Sequence, residues 1–156
     1  MGNFERNLVI SLNKFFDAHG IKAFAHRLKQ SRFAEQLCDI LVDSKNPRFY
    51  LAIENKSLQK GTNALYFSQH FSATKEGHQI ERMSRYLKLS GRQGFLAVEL
   101  RGEKGMAPEA YLIPWEKVEE KYFGNEKGFR AEEIKKYPEM PRRSSLYLLH
   151  EVFPNA

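Results

Sequence analysis

Cysteine is almost missing from this 156-residue chain, where Cys38 stands alone. A single thiol excludes an internal disulfide and any cysteine-rich zinc site, and inside an apolar run it reads as a small buried hydrophobe. No stretch approaches the roughly 18 consecutive apolar residues that a membrane-spanning helix needs. The N-terminus has no hydrophobic signal core, and repeats and low-complexity segments are absent. These absences predict a cytoplasmic protein without a membrane partner, folded as one domain over residues 1–156. Acidic residues are in deficit as well: 19 Asp and Glu stand against 25 Lys and Arg, for a net charge of +6. That balance suits a polyanionic partner such as nucleic acid, although charge alone does not name one.

What is present centres on CDILVDSKNPRFYLAIENKS, from Cys38 to Ser57. Ile40, Leu41 and Val42 form an apolar run, Ser44-Lys45-Asn46-Pro47 a turn, and the residues from Phe49 to Asn55 a second strand. Alternate side chains of a strand share a face, so Glu54 and Lys56 point the same way, about 7 Å apart along the strand. Asn55 then points opposite, with Phe49, Leu51 and Ile53. A strand that places a carboxylate and an amine on one face gives up core packing there. With Asp39 at the start of the first strand, the paired carboxylates suit Mg²⁺. The lysine is placed to orient or deprotonate a water, or to neutralise charge on a phosphate. Solvated charges at strand ends are the alternative reading of the same three residues.

The rest of the chain predicts an α/β protein with a mixed sheet and helices on its faces. Asn3–Ala18 repeats Phe4, Leu8, Leu12, Phe15 and Phe16 at helical spacing, with Glu5 and Arg6 in its first turn. Residues 21–28 alternate as a strand, and 29–36 have no period and read as a loop. Lys22, Arg27, Lys29 and Arg32 gather cations there, which suits a phosphodiester backbone; a solvated cluster fits them equally. Residues 64–71 read as a strand or ordered loop, with Tyr66 a candidate DNA contact. Residues 77–90 form an amphipathic helix, opened by Gln79, closed by Gly91, and basic at Arg82, Arg85, Lys88 and Arg92. Gln93–Leu100 and 110–113 read as strands. A helix opens at Pro114-Trp115-Glu116 and runs to about Phe123. Beyond Gly124 the chain is basic and irregular, with a short helix at 131–136 and a final strand at 146–152.

Asp39, fourteen residues, then Glu54-x-Lys56 resembles the active-site signature of the PD-(D/E)XK nuclease superfamily. The wider order is Glu5-Arg6 in a first helix, a basic segment, Asp39-Ile-Leu-Val, Tyr50-Leu-Ala-Ile-Glu-Asn-Lys-Ser, an amphipathic helix, and Gly94-Phe-Leu-Ala-Val-Glu-Leu. This order resembles archaeal Holliday junction resolvases of the Hjc type over roughly residues 4–115. His78-Gln79-Ile80 and Tyr111-Leu-Ile-Pro-Trp are also similar to RecU-type resolvases. The resemblance implies a restriction-endonuclease-like fold, a mixed central β-sheet flanked by helices, with a nuclease core at about 4–115 and a basic extension at about 124–156. It implies Mg²⁺, with Mn²⁺ possible, held by Asp39 and Glu54, with Glu5 a further acidic member and Lys56 assisting the attacking water. DNA contacts are expected from Arg6, Arg27, Lys29, Arg32, Tyr66 and Gln79. The partners implied are four-way DNA junctions and a second copy of the chain. Cys38 stands where the motif has proline, and Asn55 replaces the usual apolar residue and needs hydrogen-bond partners. Other nucleases on the same core, a non-cutting nucleic-acid-binding module and a basic structural domain remain alternatives.

Overall fold

The computed structural model describes residues 3–29 and 36–156. The first helix, α1 (Asn3–Ala18), buries Phe4, Leu8, Leu12, Phe15 and Phe16 on one stripe, and Gly20, in the left-handed region at φ +63°, turns the chain out of it. Three strands follow: β1 (Ala23–Arg27), β2 (Ile40–Ser44) and β3 (Leu51–Leu58). A 3₁₀ turn at Pro47–Phe49 joins the last two, its first residues capped by the Asn46 side chain, which accepts the Arg48 N–H at 3.0 Å. Next come β4 (Ala64–Tyr66), a one-turn helix α2 (Phe67–His70), and a tight hairpin of β5 (Ala73–Thr74) and β6 (Gly77–His78). Helix α3 (Gln79–Ser90) ends at Gly91, whose φ of +80° only glycine adopts at low cost. It returns the chain to β7 (Gln93–Leu100), β8 (Glu109–Pro114) and α4 (Trp115–Phe123). The last elements are short: β9 (Gly128–Arg130), α5 (Ala131–Ile134), β10 (Arg142–Arg143) and β11 (Leu146–Tyr147).

The central sheet has the order β1-β2-β3-β7-β8. Every neighbouring pair is antiparallel except β3 and β7, which run parallel and are linked by a crossover that contains α3. Residues on one face, including Leu51, Ile53 and Ala97, pack under α1. Residues on the other, including Ala52, Leu96 and Val98, pack under α3 and α4 with Ile80, Met83, Trp115 and Val118. Coverage on both faces explains why β3 and β7 read as near-continuous apolar runs rather than alternating ones. This is the α/β fold with a mixed central sheet and flanking helices. Among the described residues no helix is long and apolar enough to cross a membrane.

Three expectations change. The predicted strand at 146–152 shrinks to Leu146–Tyr147, paired only with Arg142–Arg143. Its later apolar residues, Leu149 and Phe153, are buried by packing into the α1 face of the core instead of by a ladder. The segment after Gly124 contains β9, which pairs with β4. A side chain at Gly128 would place its Cβ 1.8 Å from the Leu65 carbonyl, so this pairing requires glycine. Arg92, expected on an exposed cationic helix face, turns inward. Its guanidinium donates to the Val42 and Leu51 carbonyls at 3.0 and 3.1 Å and to Asp43 at 2.8 Å, tying the β2–β3 hairpin shut.

Candidate active site

Asp39 sits one residue ahead of β2, fixed on both sides by backbone. Its carbonyl accepts the Leu28 N–H at 2.9 Å, and its own N–H donates to the Ile53 carbonyl at 3.1 Å. The carboxylate is held with equal care. Oδ2 accepts the backbone N–H of Asn55 at 2.8 Å, and Oδ1 accepts the Gln36 side-chain amide at 2.8 Å. The hairpin thereby draws Asp39 against the stretch of β3 that carries Glu54.

Glu54 is buried, 4% exposed, on the α3 face of β3. Lys56, two residues along and on the same face, places Nζ 3.0 Å from Glu54 Oε2. The lysine lies over the Phe71 ring, 4.5 Å from its centre, so an aromatic face holds the ammonium in place. Gln79, the first residue of α3, is 5% exposed; its amide hydrogen-bonds Glu54 and also donates to the Leu37 carbonyl at 3.3 Å. Burial pushes the Glu54 carboxyl up to about 8, and the negative charge of Asp39 adds to this. Lys56 and Gln79 oppose the rise without cancelling it. A buried acid facing a second acid is a charge arrangement that a cation completes.

Two carboxylates on adjoining segments, Asp39 just ahead of β2 and Glu54 on β3, suit the oxygen-rich and partly hydrated coordination that Mg²⁺ prefers. Among the described residues, however, no group of three or more His, Cys, Asp or Glu side chains could hold a metal. Glu5, the expected third acid, is held elsewhere. Its Oε1 pairs with Arg27 Nε at 2.7 Å, across from α1 to the end of β1. Arg27 lies opposite Ile40, the residue after Asp39, so the pair stands at the same end of the sheet as the carboxylates. The Arg27 guanidinium is therefore already committed to a carboxylate.

The other expected contacts divide. Arg6 and Lys29 are exposed, and Arg32 lies outside the described residues. Tyr66 is 41% exposed, its ring stacked on His70. Gln79, expected to meet DNA, is 5% exposed and hydrogen-bonds Glu54, where its amide orients the carboxylate. His26 on β1 pairs with Asp43 at 2.8 Å. Sequence reading missed Gln36 as the partner of Asp39 and Phe71 as the platform under Lys56. The spacing of Gln36 three residues before Asp39 was the only trace of the first. Nothing local betrays the second, since Phe71 arrives from fifteen residues further on. Asn55 also lacks what it was expected to need. Both polar atoms of its side chain are buried without a partner among the described residues.

No protein-family model matches the chain, and no curated protein matches it by sequence. In structure it is similar to the Hjc Holliday junction resolvase of the archaeal hyperthermophile Archaeoglobus fulgidus. The TM-score is 0.54 at 22% identity, over 86% of this chain and 89% of that one. At that identity the likeness is one of fold: the two proteins share the arrangement of sheet and helices on which Asp39, Glu54 and Lys56 are mounted.

Proposed function

We propose that this protein is a metal-dependent DNA endonuclease of the PD-(D/E)XK type, acting on branched DNA with four-way junctions as its substrate. The observation that carries the proposal is buried Glu54, set against Asp39 and held by Lys56 and Gln79 on the α3 face of β3. A structural carboxylate gains nothing from a second carboxylate beside it, whereas a ligand pair for a divalent cation needs both. The junction as substrate rests on the resemblance in motif order to Hjc-type and RecU-type resolvases, and the shared fold supports it.

In this reading Asp39 and Glu54 hold Mg²⁺ or Mn²⁺, which when bound supplies an acidified water and neutralises charge on the phosphate. Lys56 stays fixed by the Phe71 face and hydrogen-bonds the attacking water or the developing phosphate charge. Gln79 and the Asn55 N–H keep the two carboxylates in place. Arg6, Lys29, Arg32 and Tyr66 contact the DNA backbone and bases around the cut. Glu5 acts with Arg27 at the rim, reaching a metal through water or releasing Arg27 to a phosphate. Two copies of the chain acting as a homodimer place paired cuts on opposite strands, from one nuclease domain each.

The test is cleavage of a synthetic four-way junction, with Mg²⁺ and with EDTA, by wild type and by Glu54→Gln. Paired symmetric nicks that require both the metal and Glu54 are expected. Equal cutting of linear duplex would remove the junction and keep the nuclease. Tight binding without any cutting would leave a binding module.

A further inference from the structure

A pocket of about 670 Å³ lies beside the carboxylate site, between β4, the start of α3 and the end of α4. That is the size range of small-molecule sites, roughly 300–1,000 Å³. Five rings line it: Tyr66, Phe67, His78, Tyr122 and Phe123. Phe67 is buried and forms the floor, meeting Tyr122 edge-on with ring centres 5.7 Å apart. The Tyr122 ring also lies 4.8 Å from His78. Tyr66 and Phe123 are different, at 41% and 58% exposed. The Tyr66 ring is held within 13° of parallel to His70, and the Tyr66 N–H donates to His70 Nδ1 at 2.8 Å. It is thus oriented before anything binds.

The pocket shares a wall with the carboxylate site. His78 lines the pocket, and its chain neighbour Gln79 hydrogen-bonds Glu54. Phe71, the platform under Lys56, has its ring centre 6.0 Å from His78. The charge in the pocket decides what can enter. Among the described residues, Glu81 and Glu126 line it beside a single cation, Lys127, and Glu81 accepts the Tyr122 hydroxyl at 2.5 Å. A carboxylate there repels phosphate but accepts the exocyclic amine of a base.

We propose that this pocket takes an unstacked nucleobase of the DNA, an inference that rests on the nuclease reading above. Flat rings with a free face stack on any base, and interrupted or branched DNA supplies bases that cost least to unstack. The Glu81 carboxylate favours a base carrying an amine, such as cytosine, over thymine. The pocket therefore recognises where the duplex is broken, one residue along the chain from the group that orients Glu54.

The experiment is fluorescence anisotropy in EDTA with three labelled duplexes: fully paired, with one extrahelical cytosine, and with one extrahelical thymine. Wild type is expected to bind the cytosine bulge roughly 10-fold more tightly than the paired duplex, with thymine between them. Phe123→Ala, at an exposed ring outside the DNA contacts assigned above, reduces that advantage by at least about 5-fold while leaving paired-duplex affinity unchanged, and Tyr66→Ala reduces the advantage by a similar factor. Equal binding of bulged and paired duplexes by wild type, or an undiminished advantage in both variants, overturns the proposal. A parallel cleavage assay with Mg²⁺ shows which reading has failed. Cutting without bulge preference removes the pocket and keeps the nuclease. Bulge preference without cutting by any variant removes the nuclease and leaves a base-binding site.

Discussion

Two carboxylates are buried in neighbouring parallel strands, and they live in opposite company. Glu54 on β3 is 4% exposed and Glu99 on β7 is 3% exposed. Glu99 lies on the α1 face, opposite Ser57 in the ladder, and its Oε1 accepts the Ser57 hydroxyl at 2.9 Å and Arg101 Nε at 3.2 Å. Its surroundings are hydrogen-bond donors, which is what a buried acid needs in the absence of a ligand. Glu54, on the other face, has donors too, but also Asp39, and burial pushes it up to about 8. Burial is common to both acids; what sets Glu54 apart is the second acid placed beside it.

The largest effect that sharpens this contrast is on catalysis. Glu54→Gln keeps the size and the Gln79 contact but loses the charge, and metal-dependent cleavage should fall by at least about 100-fold in a single-turnover assay. Glu99→Gln should leave cleavage within about 2-fold.

The second effect is on the pH dependence of stability in the metal-free protein. Between its unfolded value of 4.5 and its folded value of about 8, Glu54 holds a proton in the folded state that the unfolded chain has released. Its contribution is then fully present below about pH 4.5 and is lost as pH rises through about 8, a loss of up to a few kcal/mol. Urea denaturation across this window should show wild type declining and Glu54→Gln nearly flat. Added Mg²⁺ should stabilise wild type more at pH 8 than at pH 5.

A smaller effect tests the satisfied acid. Glu99→Gln weakens charge-assisted bonds from Ser57 and Arg101 and should cost about 1–2 kcal/mol in the same denaturation measurement. The smallest is a gain. Asn55→Val removes two buried polar atoms without partners and adds a strand-favouring side chain, for about 1 kcal/mol of added stability. The N–H that Asn55 donates to Asp39 belongs to the backbone, so cleavage should be unchanged; a loss of activity would mean that the amide side chain acts on the site.

The difference between Glu54 and Glu99 also shows where sequence reading works. The β2–β3 hairpin was legible because turn residues separate two apolar runs, and α3 because its stripe and its closing Gly91 are local features. Asp39, Glu54 and Lys56 were legible because a strand's alternation places the last two on one face, and a hairpin brings the first alongside. Glu99 was hidden inside QGFLAVEL, where it reads as one more strand residue; only the register with Ser57 shows its partners. Gln79 looked like a polar residue opening a basic helix. Its burial depends on the angle at which α3 meets β3, which no local pattern carries. β9 escaped for a related reason: three residues pair with a strand more than sixty positions earlier. The final strand was overread because apolar residues packed against a helix and apolar residues paired in a sheet look alike over seven positions.

Cys38 carries a practical consequence. It is fully buried, one residue from Asp39, and desolvation pushes its thiol up to about 12, with the charges of Glu54 and Asp39 adding to the rise. A thiol that stays protonated and covered does not react with maleimides or mild oxidants. The chain is thus a ready-made labelling background. A cysteine introduced at an exposed position such as Leu89, 77% exposed, becomes the one reactive handle for a fluorophore or spin label, with the native thiol left in place.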